Sequence, residues 1–151
     1  MQVVEDDLRR EAVRDLLAFH FKLMHENSPP GMAYVLDVEA LKAPTMSFWT
    51  IWDGDELLGC GAMKELASDW GEIKSMRTAP DHLGKGVGAA MLDHIMKTAR
   101  ARGYKRLSLE TGSTPSFLPA IAMYKKRGFE YGDCFGGYET SDFNLFMHLD
   151  L

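Results

Sequence analysis

Cysteine is nearly absent: the 151 residues hold two, Cys60 and Cys134, and no CxxC pair. That excludes a disulfide-stapled scaffold and makes a reducing, cytoplasmic compartment the expectation. Excess positive charge is also missing. The chain carries 17 Lys and Arg against 22 Asp and Glu, a net charge of −5, where a general nucleic-acid binder shows a basic face. No nucleic-acid partner is expected. No apolar run approaches the roughly 18 residues that a membrane span needs, so no membrane partner is expected. The opening MQVVEDDLRR is acidic and lacks the basic and apolar regions of a signal peptide. His20, His25, His82, His94 and His148 show no metal-ligand spacing and HExxH is absent, so no metal is expected.

What is present is an ordinary apolar fraction, 46%, enough for the core of a single domain spanning residues 1–151. Leu8, Val13, Leu16, Leu17, Phe21 and Met24 recur at helical spacing behind Asp6 and Asp7. This predicts a helix with acidic residues at its positive end, stopped by SPPG at 28–31. A short helix is predicted from Asp37 to Lys42. TMSFWTIW and ELLGCGAMKEL read as a hairpin about DGD, and residues 69–78 as a further strand. A helix follows from Gly86 to Arg102, apolar at Val87, Met91, Leu92, Ile95 and Ala99, and stopped by Gly103. KRLSLET is a strand and residues 115–127 are a helix. Residues 129–135 and 142–149 form two closing strands about a GGY turn, and residues 1–4 are a candidate strand.

This order predicts a mixed α/β fold. A mostly antiparallel sheet contains one parallel strand–helix–strand crossover from Glu72 to Glu110, with helices on both faces. Phe21, Phe48, Trp49, Trp52 and Cys60 read as core. Cys134 has no adjacent His signature for acyl-enzyme chemistry.

From His82 to Gly103 the chain reads HLGKGVGAAMLDHIMKTARARG. Gly84, Gly86 and Gly88 open a helix, although each raises the entropic cost of ordering the backbone. A strand, a glycine turn and a helix start aim several backbone N–H groups at one spot, under the positive end of the helix dipole. That spot suits a pyrophosphate, and Lys85 adds a mobile charge. The other reading is a tight turn and nothing more. A P-loop is excluded because no Ser or Thr follows the only Gly-Lys pair. A Rossmann fingerprint is excluded by the glycine spacing. His82, beside this turn, reads as an exposed loop residue.

APDHLGKGVGAAML resembles motif A of the GNAT superfamily of acyl-CoA-dependent N-acyltransferases, whose pattern is Arg/Gln-x-x-Gly-x-Gly/Ala. Aligned on Gly86 and Gly88, the first position falls on Leu83, so the usual long polar side chain is missing there. EIKSMRTAP resembles the strand before motif A and LSLETG the next strand. AIAMYKKRGFE resembles motif B, with its Tyr-x-x-x-Gly-Phe signature from Tyr124 to Phe129. Family members often have an Asn where this chain has Phe117.

The resemblance implies a GNAT-like fold and an N-acetyltransferase that uses acetyl-CoA as co-substrate and no metal. The pantetheine arm would lie between two splayed strands, along the backbone of Met76, Arg77 and Thr78. The pyrophosphate would sit on Leu83, Gly84, Lys85, Gly86, Val87 and Gly88. The acceptor would be a primary amine of a small molecule or protein, which takes the acetyl group directly from the thioester. A homodimer is common in the family. A catalytically silent CoA-binding or regulatory module of the same fold is the alternative that Leu83 and Phe117 leave open.

Strand alternation predicts Glu72, Lys74, Met76 and Thr78 on one face. Glu72 resembles the family's strand carboxylate that acts as general base, commonly through water. Its other reading is a solvated strand-end carboxylate paired with Lys74. Glu110 ends the next strand as an acceptor-binding residue, a second base, or a capping or turn carboxylate. Tyr124 resembles the motif-B tyrosine that protonates the leaving thiolate. A phenol titrating near pH ~10 keeps its proton at neutrality. Its other reading is a half-buried tyrosine that packs the helix. The acidic balance favours a cationic acceptor.

Overall fold

The computed structural model describes residues 1–151, which form a seven-stranded sheet in the order β1-β2-β3-β4-β5-β7-β6. The strands are β1 Gln2–Glu5, β2 Met46–Asp53, β3 Glu56–Ala67, β4 Trp70–Thr78, β5 Arg106–Gly112, β6 Glu130–Tyr131 and β7 Asn144–Asp150. The helices are α1 Glu11–Glu26, α2 Val38–Leu41, α3 Val87–Ala101 and α4 Leu118–Lys126. All pairings are antiparallel except β4–β5. The mixed α/β fold expected from the element order is the fold observed.

Alternation along the strands separates two cores. Leu8, Val13, Leu16, Leu17 and Leu41 cover Phe48, Trp52, Cys60 and Ala62 on one face. On the other face α3 and α4 cover Trp49, Ile51, Met63, Ile73, Leu107, Leu109 and Met147. Val87, Met91, Leu92, Ile95 and Ala99, the predicted apolar stripe of α3, are all buried here. Burial of such a stripe, at roughly 25 cal/mol per Å² of apolar surface, is what holds an amphipathic helix to a sheet.

Four local expectations are corrected. Asp6 and Asp7 do not sit in the first turn of α1. Asp6 accepts from the Leu8 amide at 2.8 Å and from the Thr50 hydroxyl at 2.9 Å, and the helix starts at Glu11. Phe21 is 40% exposed on the outer face of α1, stacked on His25 one turn away. Residues 115–117 form a 3₁₀ turn before α4. The strand expected at 129–135 shrinks to Glu130–Tyr131. Beyond it the chain leaves the edge so that Phe135 can bury its ring among Tyr138, Phe146 and His148.

Candidate active site

The site begins where the parallel pair comes apart. β4 and β5 pair at only three positions, Trp70–Arg106, Gly71–Leu107 and Glu72–Ser108. From Ile73 to Thr78 the backbone of β4 has no strand partner on its β5 side. Unpaired backbone groups in a cleft are open to a ligand.

A bulge then divides β4 into two registers. Between the Cys60–Arg77 and Ala62–Lys74 pairs, one residue of β3, Gly61, opposes two of β4, Ser75 and Met76. Ser75 adopts φ 54°, the left-handed region that costs a non-glycine residue about 1–2 kcal/mol. The extra residue reverses the alternation and corrects the expectation of a single face. Glu72 and Lys74 lie on the α1 side. Met76 lies on the α3 side, packed with that core. Arg77 returns to the α1 side, where its Nε donates to His20 Nδ1 at 2.9 Å. Thr78 faces Gly88 of α3.

The glycines at the mouth have two different uses. Gly84 and Gly86 take φ 75° and 80°, and no atom stands within 4 Å of where a Cβ would be. Gly86 is the N-cap of α3. The helix's first bond runs from the Ala90 amide to the Gly86 carbonyl at 3.0 Å, and no side chain caps the amides before it. Open space in front of uncapped amides fits an anion such as a pyrophosphate. Gly88 instead admits a neighbour: a methyl there would meet Met123 Sδ at 3.2 Å.

Leu83 is 68% exposed at the rim. Lys85 is tied down, its Nζ 3.1 Å from His82 Nδ1, while His82 Nε2 lies 2.9 Å from Glu56 Oε1. His82 is thus a buried link, not the exposed loop residue expected, because the turn folds it between two charged groups.

A cleft of about 720 Å³ runs from this turn along the splay. It is lined by every sequence-predicted site residue except Lys85. At its far end Glu72 is 3% exposed. It accepts from Lys74 Nζ at 3.2 Å and from the Tyr138 hydroxyl, and Lys74 Nζ also donates to that hydroxyl at 2.6 Å. The Lys74 pairing expected of a structural carboxylate is present, but the solvation is not. Tyr138 escaped the sequence reading because it lies on an irregular loop, 66 positions from Glu72. Burial, and then the charge of Glu72, push its phenol above the ordinary range.

Glu110 lines the same cleft, half-buried, rather than capping a turn. Burial raises its carboxyl to about 7. The Glu72 charge also raises it, while Lys74 and the Asn144 amide oppose the rise. Tyr124 is buried and stacks edge-on against Phe129 at 5.6 Å. Burial pushes its phenol above the ordinary value, so the hydroxyl stays protonated at neutrality. Phe117 is packed edge-on against Phe143 at 5.7 Å, an apolar contact. The cleft therefore combines uncapped helix amides, exposed strand backbone, a carboxyl pushed up to about 7 by burial and a protonated phenol.

Solved structures share this architecture. A candidate acyl-CoA N-acyltransferase of Klebsiella pneumoniae superposes with a TM-score of 0.82 at 26% identity, covering 99% of this chain and 97% of that one. An acetyltransferase of Bacillus subtilis, solved in complex with CoA, superposes with a TM-score of 0.73 over 99% and 98% of the two chains. At 18% identity it speaks for the fold alone. The fold is that of the acyl-CoA N-acyltransferases.

Residues 8–129 match the model of the Acetyltransferase (GNAT) family. The uncharacterized N-acetyltransferase YsnE of Bacillus subtilis is 47% identical over 147 residues, 97% of each chain. This chain belongs to the GNAT acetyltransferase family and is an N-acetyltransferase.

Proposed function

We propose that the protein transfers acetyl directly from acetyl-CoA to a primary amine of a small molecule or protein, as one domain of residues 1–151 working in the cytoplasm. The observation that carries this reading is one cleft joining the uncapped amides of α3 to Glu72, Glu110 and Tyr124. Acetyl-CoA, when bound, supplies the acetyl group as a thioester. The amides at Gly86–Gly88 hold its pyrophosphate, and the unpaired backbone of Met76, Arg77 and Thr78 holds the pantetheine arm. A β4 amide near Met76 donates to the oxygen that gains charge. The Glu72–Glu110 pair draws the proton from the acceptor ammonium, with Glu110 the member poised near operating pH. Tyr124 returns a proton to the departing sulfur.

The test is thiol release from acetyl-CoA across a panel of amines, for the wild type and for Glu72→Gln and Tyr124→Phe. Each substitution is expected to lower kcat by about 10²-fold or more, with the CoA Kd unchanged. Losses of only a few-fold in both variants refute these roles. Tight CoA binding with no thiol release for any amine identifies a silent binding module.

A further inference from the structure

The α1 side of the cleft holds a cation without a counter-charge. Arg77 lines the cleft and donates through Nε to His20. Its Nη groups have no protein acceptor, and no carboxylate stands within ion-pair distance of it. The groups packed on it are neutral. His20 is held as the uncharged imidazole, its pKa pushed down to about 3 by burial and then by Arg77 itself. The Cys60 thiol is pushed up to about 12, chiefly by burial. Asp6 is occupied by the Leu8 amide and the Thr50 hydroxyl. Lys74, the other strand cation here, is neutralised by Glu72.

Arg77 is half-buried, and its Nη groups stay open to the cleft, so a guanidinium with no protein counter-charge is free to take an anionic partner that enters there. The donor's phosphates are not that partner. Their cradle lies at the N-terminus of α3, on the other side of β4 from the Arg77 side chain. With Nε fixed by His20, the two Nη groups are left to meet a planar anion end-on. Met24, Tyr34 and Leu36 also line the cleft and offer apolar cover for an organic body.

We propose that the acceptor is an amine that also bears a carboxylate, bound end-on by the Nη groups of Arg77 while its amine faces the Glu72–Glu110 pair. His20 is a positioning residue that orients the fork. The proposal rests on the acetyl-transfer reading for the identity of the amine, but the carboxylate site itself is independent of turnover.

The experiment uses the full chain and matched probes: glycine, β-alanine, 4-aminobutyrate and the common L-α-amino acids, each against its carboxamide and its decarboxylated amine. The wild type is expected to favour the acids in kcat/KM by roughly 10–100-fold or more. Arg77→Met should abolish the preference by raising KM for the acids far more than for their carboxamides. Arg77→Lys keeps the charge without the fork and should retain part of the preference, and it serves if the methionine variant fails to fold.

A second arm titrates propionate and phenylacetate into the CoA-saturated protein, read by calorimetry and thermal shift. Saturable binding in the wild type and its loss in Arg77→Met are expected. Amides turned over as well as acids, or equal losses for both in Arg77→Met, overturn the inference and leave the acetyltransferase reading standing. Carboxylate binding that needs Arg77, without turnover of any amine, overturns acetyl transfer and leaves the carboxylate site standing. Neither preference nor binding overturns the inference.

Discussion

Replacing Glu110 with glutamine tests the electrostatics of the cleft in one step. The carboxyl titrates near 7 in the folded protein against an ordinary value of 4.5. Between those values the native state holds a proton that the unfolded chain has released. Its contribution to stability is therefore full below 4.5 and is lost as pH rises through 7. The displacement corresponds to roughly 3 kcal/mol of unfavourable ionisation. Glu110 is only half-buried, and solvent screening brings the expected effect to about 1–2 kcal/mol.

Glutamine is neutral throughout. Glu110→Gln should match the wild type near pH 4.5 and exceed it by about 1–2 kcal/mol at pH 8.5. Urea melts of both proteins at the two pH values read this directly, because every other titrating group is common to both. In the amine assay the wild-type kcat/KM should climb with pH through about 7, and the variant should lose that limb with at least a 10-fold lower plateau. Stability curves that run parallel from acid to base refute the claim that burial, not solvent, governs this carboxyl.

Gly86→Ala puts a methyl into open space at φ 80°. It should cost only about 1 kcal/mol in a thermal melt yet weaken CoA binding by roughly 10-fold or more, read by calorimetry; unchanged affinity would remove the cradle from the site. Gly61→Ala acts on the core instead. Its methyl would lie 2.6 Å from Met91 Cγ and 2.8 Å from Met76 Sδ, so a loss of about 1–3 kcal/mol in urea unfolding is expected. A neutral result would mean that the two methionines swing aside at no cost.

Much of this architecture was legible because periodic burial writes itself into sequence. The stripe Val87, Met91, Leu92, Ile95 and Ala99 identifies α3 and the face it buries. Asp37 marks the start of α2, where it accepts from the Ala40 amide at 2.9 Å. The glycine turn was readable as a turn of unusual dihedrals, and Gly84 and Gly86 do take positive φ. Tyr138, by contrast, reaches Glu72 from a loop without periodicity. The contact of His82 with Glu56 spans 26 positions, which no local pattern encodes. The burial of Glu110 depends on β7 and the splay, so its titration near neutrality is a tertiary property.

The least legible feature is also the one that organises the cleft. A strand of unbroken alternation would send Glu72, Lys74, Met76 and Thr78 to one side and Arg77 to the other. Met76 and Thr78 would then share the α1 side with Glu72, away from α3. The single extra residue at Ser75 turns the tail of β4 over. Met76 and Thr78 go to the α3 side, beside the N-terminal amides of that helix, while Arg77 joins Glu72 and Lys74 on the α1 side. Under the proposed reading, one strand thereby presents donor contacts to one side and acceptor contacts to the other, with the splay from β5 as the passage between them. The left-handed Ser75 and its unpartnered hydroxyl are the strain that this arrangement retains. Gly61 opposite it is small enough to let Met76 and Met91 close over the reversal.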